Sequence, residues 1–442
     1  MITNQIKIGV VGLWHLGCVI SAAWSKLGIP VVGFDYSRAL IDNLNLHKQP
    51  IFEPNLQETV AASITAARLR FTDRLEMLKD CDFVFLAYDT PVLDDDSSDL
   101  SPLKRAIDDL ADVMKNDGVV IVSSQTPVGT CSVFRASLQK RNPSVELVYS
   151  PENLRLGEAI ECYLKPGRVI VGADSQKAAS KAAQLFGLLD TEIITMGLAS
   201  AEMVKHAINA FLADSIVFAN HLADLCEASG ANILDVVKGV KSDERIGKRA
   251  YLSAGIGFSG GTLGRDLQVL AKLNKSAGRK SFLYESIHRF NGERKNIIVD
   301  KIAGIIGSSL NNKTISLLGL TYKPGTSTLR RSLPVEIAGL LAQKGAKLKV
   351  YDPQADFDEI KGELPFEICS SIDDALLDSV LAVILTEWKE FKKYPWEKAA
   401  EKMNQRRVFD PKNFLYDLRL KDAGFDYYGT GFTNTGDSYG IA

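Results

Sequence analysis

The sequence predicts an α/β protein with two Rossmann-like, doubly wound domains joined by a long central helix and a helical middle region. Three observations carry this. Short apolar runs alternate with helical stretches at both ends of the chain. A glycine-containing turn follows the first apolar run and opens a helix. Between the alternating regions, Ala199 to Gly230 has Ala, Leu, Ile and Val at helical spacing, without Pro or internal Gly.

The elements follow in order. Ile6–Gly12 and Pro30–Asp35 read as buried parallel strands, with a helix between them. Further strands are expected at Phe83–Ala87, Val119–Ser123, Leu147–Tyr149 and Arg168–Val171. Residues 199–230 predict one helix of roughly thirty residues, with more helix to about residue 296. So long and apolar a helix has to bury more than one face, which suits a domain spacer and a dimer surface. Alternation resumes at Thr314–Leu320, Lys347–Pro353 and Val380–Leu385. The expected division is 1–198, 199–296 and 297–442. No short-period repeat relates the two α/β parts.

Composition bounds the function. The chain has 442 residues, too many for one ordinary core. Its net charge of −2 gives no overall field for nucleic acid or an anionic membrane. An anionic ligand must therefore meet local Lys and Arg clusters. The six cysteines form no CxxC pair and no dense framework, which suits reduced thiols in a cytoplasmic protein. No metal-ligand cluster is evident. The N-terminus passes directly into a strand pattern, without a signal-peptide pattern, and no apolar run is long enough for a bilayer.

Gly12-Leu13-Trp14-His15-Leu16-Gly17 follows the first strand. Gly12 suits the tight turn and Gly17 a close helix–sheet approach; Trp14 replaces the middle glycine that lets backbone near a pyrophosphate. Asp35 ends the second strand, where a carboxylate can accept from a ribose diol and would repel a 2′-phosphate. Together they point to NAD. Lys205 and Asn209 lie four apart on the long helix and share a face, which suits either a pocket or an ordinary exposed stripe.

Gly257-Phe258-Ser259-Gly260-Gly261-Thr262-Leu263-Gly264-Arg265-Asp266 resembles the active-site loop Gly-Phe-Gly-Gly-x-Cys-x-Pro-Lys-Asp of the UDP-glucose 6-dehydrogenase and GDP-mannose dehydrogenase family. Other stretches are similar to that family in the same order. Among them are Ser150-Pro151-Glu152-Asn153-Leu154, Glu202-x-x-Lys205-x-x-x-Asn209, Asn220, Asp243-Glu244-Arg245-Ile246-Gly247, and Tyr322-Lys323-Pro324 through Arg330-Arg331-Ser332. Glu53-Pro54, Thr90-Pro91, Tyr351-Asp352-Pro353 and Thr386-Glu387-Trp388 extend the resemblance over essentially the whole chain.

The resemblance implies an NAD-dependent nucleotide-sugar oxidoreductase, with UDP favoured as the base carrier and a homodimer as the assembly. It implies catalytic roles for Lys205, Asn209, Asp266 and Glu152, with Thr262 at the position of the nucleophilic Cys. On the cofactor side it implies Gly12, Trp14, His15, Leu16, Gly17 and Asp35, together with Thr90, Gln125, Arg265 and Arg330. For the sugar nucleotide it implies Asn153, Leu154, Arg245, Tyr251, Gly257, Phe258, Gly261 and Lys323, with Arg245 donated across the dimer.

The departures from the family share a theme. Thr262 stands for the Cys that forms a thioester, Leu156 for a second Glu, and Gln125 for a threonine that orders water. A threonine hydroxyl is a weak nucleophile without an adjacent base. The sequence therefore predicts hydride transfer without the Cys-dependent second oxidation. Two alternatives stand beside it: an epimerase that oxidises transiently and recycles NAD, and a binding protein without turnover. Cys131 or Cys162 supplying the missing thiol is a third possibility.

Overall fold

The computed structural model describes residues 6–88, 99–151, 154–155, 157–307, 309–360, 362 and 364–432. Its contacts divide the chain into two compact units, 1–208 and 209–442.

In the first unit, apolar runs form β1 (Ile8–Val11), β2 (Val31–Phe34), β3 (Leu69–Thr72), β4 (Phe83–Leu86), β5 (Val119–Val122), β6 (Glu146–Tyr149), β7 (Val169–Gly172) and β8 (Ile193–Met196). Helices α1 (His15–Lys26), α2 (Arg38–Asn45), α3 (Leu56–Thr65), α4 (Ser101–Val113), α5 (Thr130–Arg141), α6 (Ala159–Leu164) and α7 (Gln176–Phe186) connect them. The strands lie in the order β3-β2-β1-β4-β5-β6-β7-β8. The first six are parallel, in the doubly wound 3-2-1-4-5-6 order, whose switch point falls between β1 and β4. Among the described residues of this sheet, only the β6–β7 pair is antiparallel, through Tyr149 and Gly172. Alternate residues feed opposite cores: Val10, Phe85 and Ile121 go to one face, Val11, Leu86 and Val122 to the other. Burial on both faces is why the central strands β1, β4 and β5 carry no charged or polar side chain.

A 32-residue helix, α8 (Leu198–Ser229), follows. Next come α9 (Ile233–Ser242), α10 (Thr262–Ser276) and α11 (Phe282–Ile306). The second sheet contains β9 (Thr314–Leu318), β10 (Lys347–Tyr351), β11 (Glu367–Ile368), β12 (Leu381–Ile384), β13 (Arg407–Asp410) and β14 (Asp426–Gly429). Its helices are α12 (Leu333–Gln343), α13 (Ile372–Leu376), α14 (Lys389–Lys393) and α15 (Trp396–Lys402). The order β11-β10-β9-β12-β13-β14 repeats 3-2-1-4-5-6, all parallel. The two units thus share a topology without a visible sequence repeat.

The fold class and the long helix match the sequence reading. Strands β3, β8, β11, β13 and β14 were not anticipated. Of these, β3, β8 and β11 carry partly exposed positions at or near sheet edges, where the apolar signal thins.

Candidate active site

The first unit builds a dinucleotide turn. Gly12 has φ +89°, which favours glycine, and its N–H donates to the Phe34 carbonyl at 3.1 Å. A Cβ on Gly17 would stand 1.8 Å from the Gly12 oxygen, so only glycine lets α1 start this close to β1. Trp14 is the N-cap of α1 and caps no amide with its side chain. The first N–H groups of α1 therefore remain as donors for an anion. Trp14 is 47% exposed, so its ring stays outside the core. Asp35 accepts from the Leu13 amide and the Ser37 amide, both at 2.9 Å, one on each oxygen. That leaves acceptor capacity for a ribose diol. Turn, helix start and acid all fit NAD.

Two buried acids brace this unit. Glu53 faces His15 Nε2 at 3.0 Å and accepts from the amides of Gly157 (3.0 Å) and Ala159 (2.9 Å). Glu202, fully buried on α8, accepts from Thr126 Oγ1 (3.1 Å), Gly129 N (2.6 Å) and Cys131 N (2.8 Å). Its carboxylate meets the start of α5, where a negative charge is favoured. One turn on, His206 Nε2 donates to the Thr126 carbonyl at 2.9 Å. These two anchors fix α8 against the segment that carries Gln125. Lys205 lies between them in sequence and is only 8% exposed. An exposed stripe is therefore excluded for Lys205 and equally for buried Asn209.

In the second unit, Asn209 Nδ2 donates to Asp266 Oδ2, and Asp266 is fully buried. Arg265 Nε lies 3.6 Å from Asp266 Oδ1. The loop leading to them is held rigidly. Asn291 accepts from Phe258 N (2.8 Å) and donates to Phe258 O (3.0 Å). Gly257 has φ +102°, and a Cβ there would strike Asn291 Oδ1 at 2.6 Å. Gly255 N donates to Asn220 Oδ1 at 2.6 Å. Buried Arg294 bridges the Gly255 carbonyl (3.0 Å) to Asp224 (2.6 and 2.7 Å). Gly260 N donates to the Arg331 carbonyl at 2.9 Å, and Leu333 N to Ser259 Oγ at 3.0 Å. This clamp delivers Thr262 as the exposed first residue of α10, one turn before Asp266, with Gly261 as N-cap.

Several other expected residues have definite surroundings. Lys323 Nζ lies 5.6 Å from the Tyr322 ring centroid. Arg330 is exposed, and its amide donates to Glu359 at 3.1 Å. Arg245 is exposed, with its guanidinium folded onto Asp243 at 2.7 and 3.0 Å. Tyr251 is exposed, Leu154 is half-buried, and Gln125 is half-buried in the loop beside Thr126. Glu152, Asn153, Leu156 and Thr90 lie outside the described residues. Cys131 is a poor substitute nucleophile: burial first, then the Glu202 charge, pushes its thiol well above its ordinary value.

The clamp residues Asn291 and Arg294 gave no signal in the sequence, since an Asn and an Arg three apart on a helix usually face solvent. Glu53 was visible only as part of a similarity to a family signature.

Three family models cover the chain in order. The UDP-glucose/GDP-mannose dehydrogenase NAD-binding domain matches residues 6–190, the central domain 199–293 and the UDP-binding domain 316–417. The chain belongs to the UDP-glucose/GDP-mannose dehydrogenase family. It is an NAD-dependent nucleotide-sugar oxidoreductase.

A UDP-glucose 6-dehydrogenase of Bacillus subtilis is 33% identical over 431 residues, covering 96% of this chain and 93% of the relative. One from Rickettsia conorii is 32% identical, covering 96% and 99%. A structure of a UDP-glucose dehydrogenase from the archaeon Pyrobaculum islandicum matches with a TM-score of 0.85 at 26% identity, over 98% of this chain and 99% of that one. Among the described residues, no helix is long and apolar enough to cross a membrane, and no group of His, Cys, Asp and Glu could hold a metal ion.

Proposed function

We propose that this member of the family carries out one reversible hydride transfer between a UDP-sugar alcohol and NAD, and lacks the thioester-dependent second oxidation. The observation that carries the reading is Thr262 at the first position of α10. A cysteine at a helix N-terminus has its thiolate stabilised there, whereas a threonine hydroxyl does not ionise near neutral pH. The raised Cys131 thiol removes one obvious replacement.

The remaining groups suit the first half of the family reaction. NAD, when bound, accepts the hydride. Lys205, Asn209 and Asp266 are buried polar groups able to hold an alkoxide, or a water that takes up the alcohol's proton. Glu152, also retained, belongs by its family motif to water activation rather than to this group. A phosphate of the sugar nucleotide is assigned to Arg245, positive charge toward the nucleotide to Lys323, and substrate contacts to Tyr251, Gly257, Phe258 and Gly261. Thr90, Gln125, Arg265 and Arg330 complete the cofactor set, and Asn153 and Leu154 the substrate set. A division into 1–198 for NAD, 199–296 for the middle part and 297–442 for the UDP moiety agrees with the order of the three family matches.

A homodimer through α8 completes the proposal. Phe211, Phe218 and Leu225 are exposed at seven-residue intervals, an apolar stripe suited to a second helix. Light scattering on the wild type and on Phe218→Glu tests this; a wild-type monomer would remove it.

The functional test is incubation with NAD and a panel of UDP- and GDP-sugars, read by mass spectrometry and NADH absorbance. The expected product is about 2 mass units lighter than the sugar nucleotide. A product about 14 mass units heavier would contradict the reading, because it requires both oxidations. An isomer of unchanged mass without net NADH would instead mark NAD recycling. Tight binding without any product would mark a binding protein.

A further inference from the structure

Glu53 has no role in the hydride-transfer scheme, yet it is one of the most completely engaged side chains of the first unit. It is 4% exposed. Its Oε2 faces His15 Nε2 and accepts from Gly157 N, both at 3.0 Å, while Oε1 accepts from Ala159 N at 2.9 Å. An ionised carboxylate only accepts, so His15 donates through Nε2. His15 is the first residue of α1, within the cofactor turn. Gly157 and Ala159 follow the Ser150-Pro151 segment, and Ala159 opens α6. A buried carboxylate depends on all its donors, because losing one leaves charge without compensation. The three partners are therefore tied to one another through Glu53, although His15 is 142 positions before Gly157 in sequence.

We infer that His15 and Glu53 are positioning residues through which NAD, held at the first turn, orders the backbone at 157–159. The reason is connectivity. The amide and the imidazole of His15 belong to one residue, so an anion that immobilises the start of α1 also fixes the donor to Glu53. Glu53 in turn holds two amides, Gly157 just before α6 and Ala159 at its first position. This rests on the cofactor reading of the turn, so NAD affinity is measured separately.

The test is amide hydrogen exchange over residues 157–164, with and without NAD, in the wild type, His15→Phe and His15→Gln. Calorimetry gives the NAD affinity of each, and exchange is measured above each dissociation constant. NAD is expected to slow exchange at Gly157 and Ala159 about tenfold in the wild type. Saturated with NAD at whatever affinity calorimetry gives it, His15→Phe shows no such slowing, and His15→Gln, which keeps a side-chain N–H, recovers it. Glu53→Gln carries the test if His15→Phe fails to fold or no longer binds NAD, and it too is expected to lose the protection. Equal protection in wild type and His15→Phe, or none in a wild type that binds NAD, overturns the inference. No NAD binding by the wild type would overturn the cofactor reading and this inference with it.

Discussion

At the end of β2, Asp35 accepts one amide on each oxygen and stays partly exposed. At the end of β10, Asp352 holds the same place in the second sheet and accepts far more. Its Oδ2 takes Leu320 N, Thr321 N, Thr321 Oγ1 and Trp388 Nε1, and its Oδ1 takes Gln354 N and Ala355 N, all within 2.7–3.1 Å. The flanking glycines match as well: Gly12 and Gly319 have φ +89° and +92°. The loops after them do not. In the first unit α1 starts at His15, so its amides face the corner; in the second, α12 starts only at Leu333. One topology thus carries two uses. The first corner keeps donors and an acceptor open for a dinucleotide, while the second spends its acid on holding its own loop.

Replacing each acid is the strongest way to break this comparison. Asp352→Ala strips six bonds from a buried site and is expected to cost about 3–5 kcal/mol in a denaturant titration. Asp35→Ala should cost only about 1 kcal/mol of stability, while weakening NAD binding about tenfold or more by calorimetry. Equal stability losses would show that both acids are structural.

Gly17→Ala comes next. With the Gly12 oxygen 1.8 Å from the new Cβ, α1 must shift away from β1. A cost of about 1–3 kcal/mol and loss of measurable NAD binding are expected. NAD affinity unchanged in Gly17→Ala would mean that the close approach does not serve the cofactor.

The smallest effect concerns thiols. Because burial raises its thiol, Cys131 should resist iodoacetamide in the native protein at about pH 8 and react only on unfolding. Rapid native labelling, read by peptide mass, would reopen Cys131 as a nucleophile.

Much of this architecture was legible in the sequence, for physical reasons. Strands such as Val119–Val122 are buried on both faces, so their apolar run is unbroken. The long helix showed because nothing in 199–230 breaks it. The β6–β7 reversal left no trace, since strand direction is not encoded in hydrophobicity. Motif spacing singled out Lys205, Asn209 and Asp266. It did not reveal that Glu202 and His206 pin α8 to the Gln125 loop, or that Asn291 and Arg294 clamp the loop before Thr262. Those contacts join residues far apart in sequence, which local pattern cannot join. Likewise, Asp35 and Asp352 look alike as strand-ending acids, and only their partners separate them.

The central claim, that the reaction stops after one hydride, is tested most directly by isotope. The UDP-hexose that the sugar panel identifies is prepared with both C6 hydrogens replaced by deuterium, and deuteride is counted in the NAD pool and in the product. For oxidation at C6, the account predicts one deuteride delivered per sugar, with one deuterium left on the product carbon. Two deuterides per sugar, with none left on the product, would contradict it.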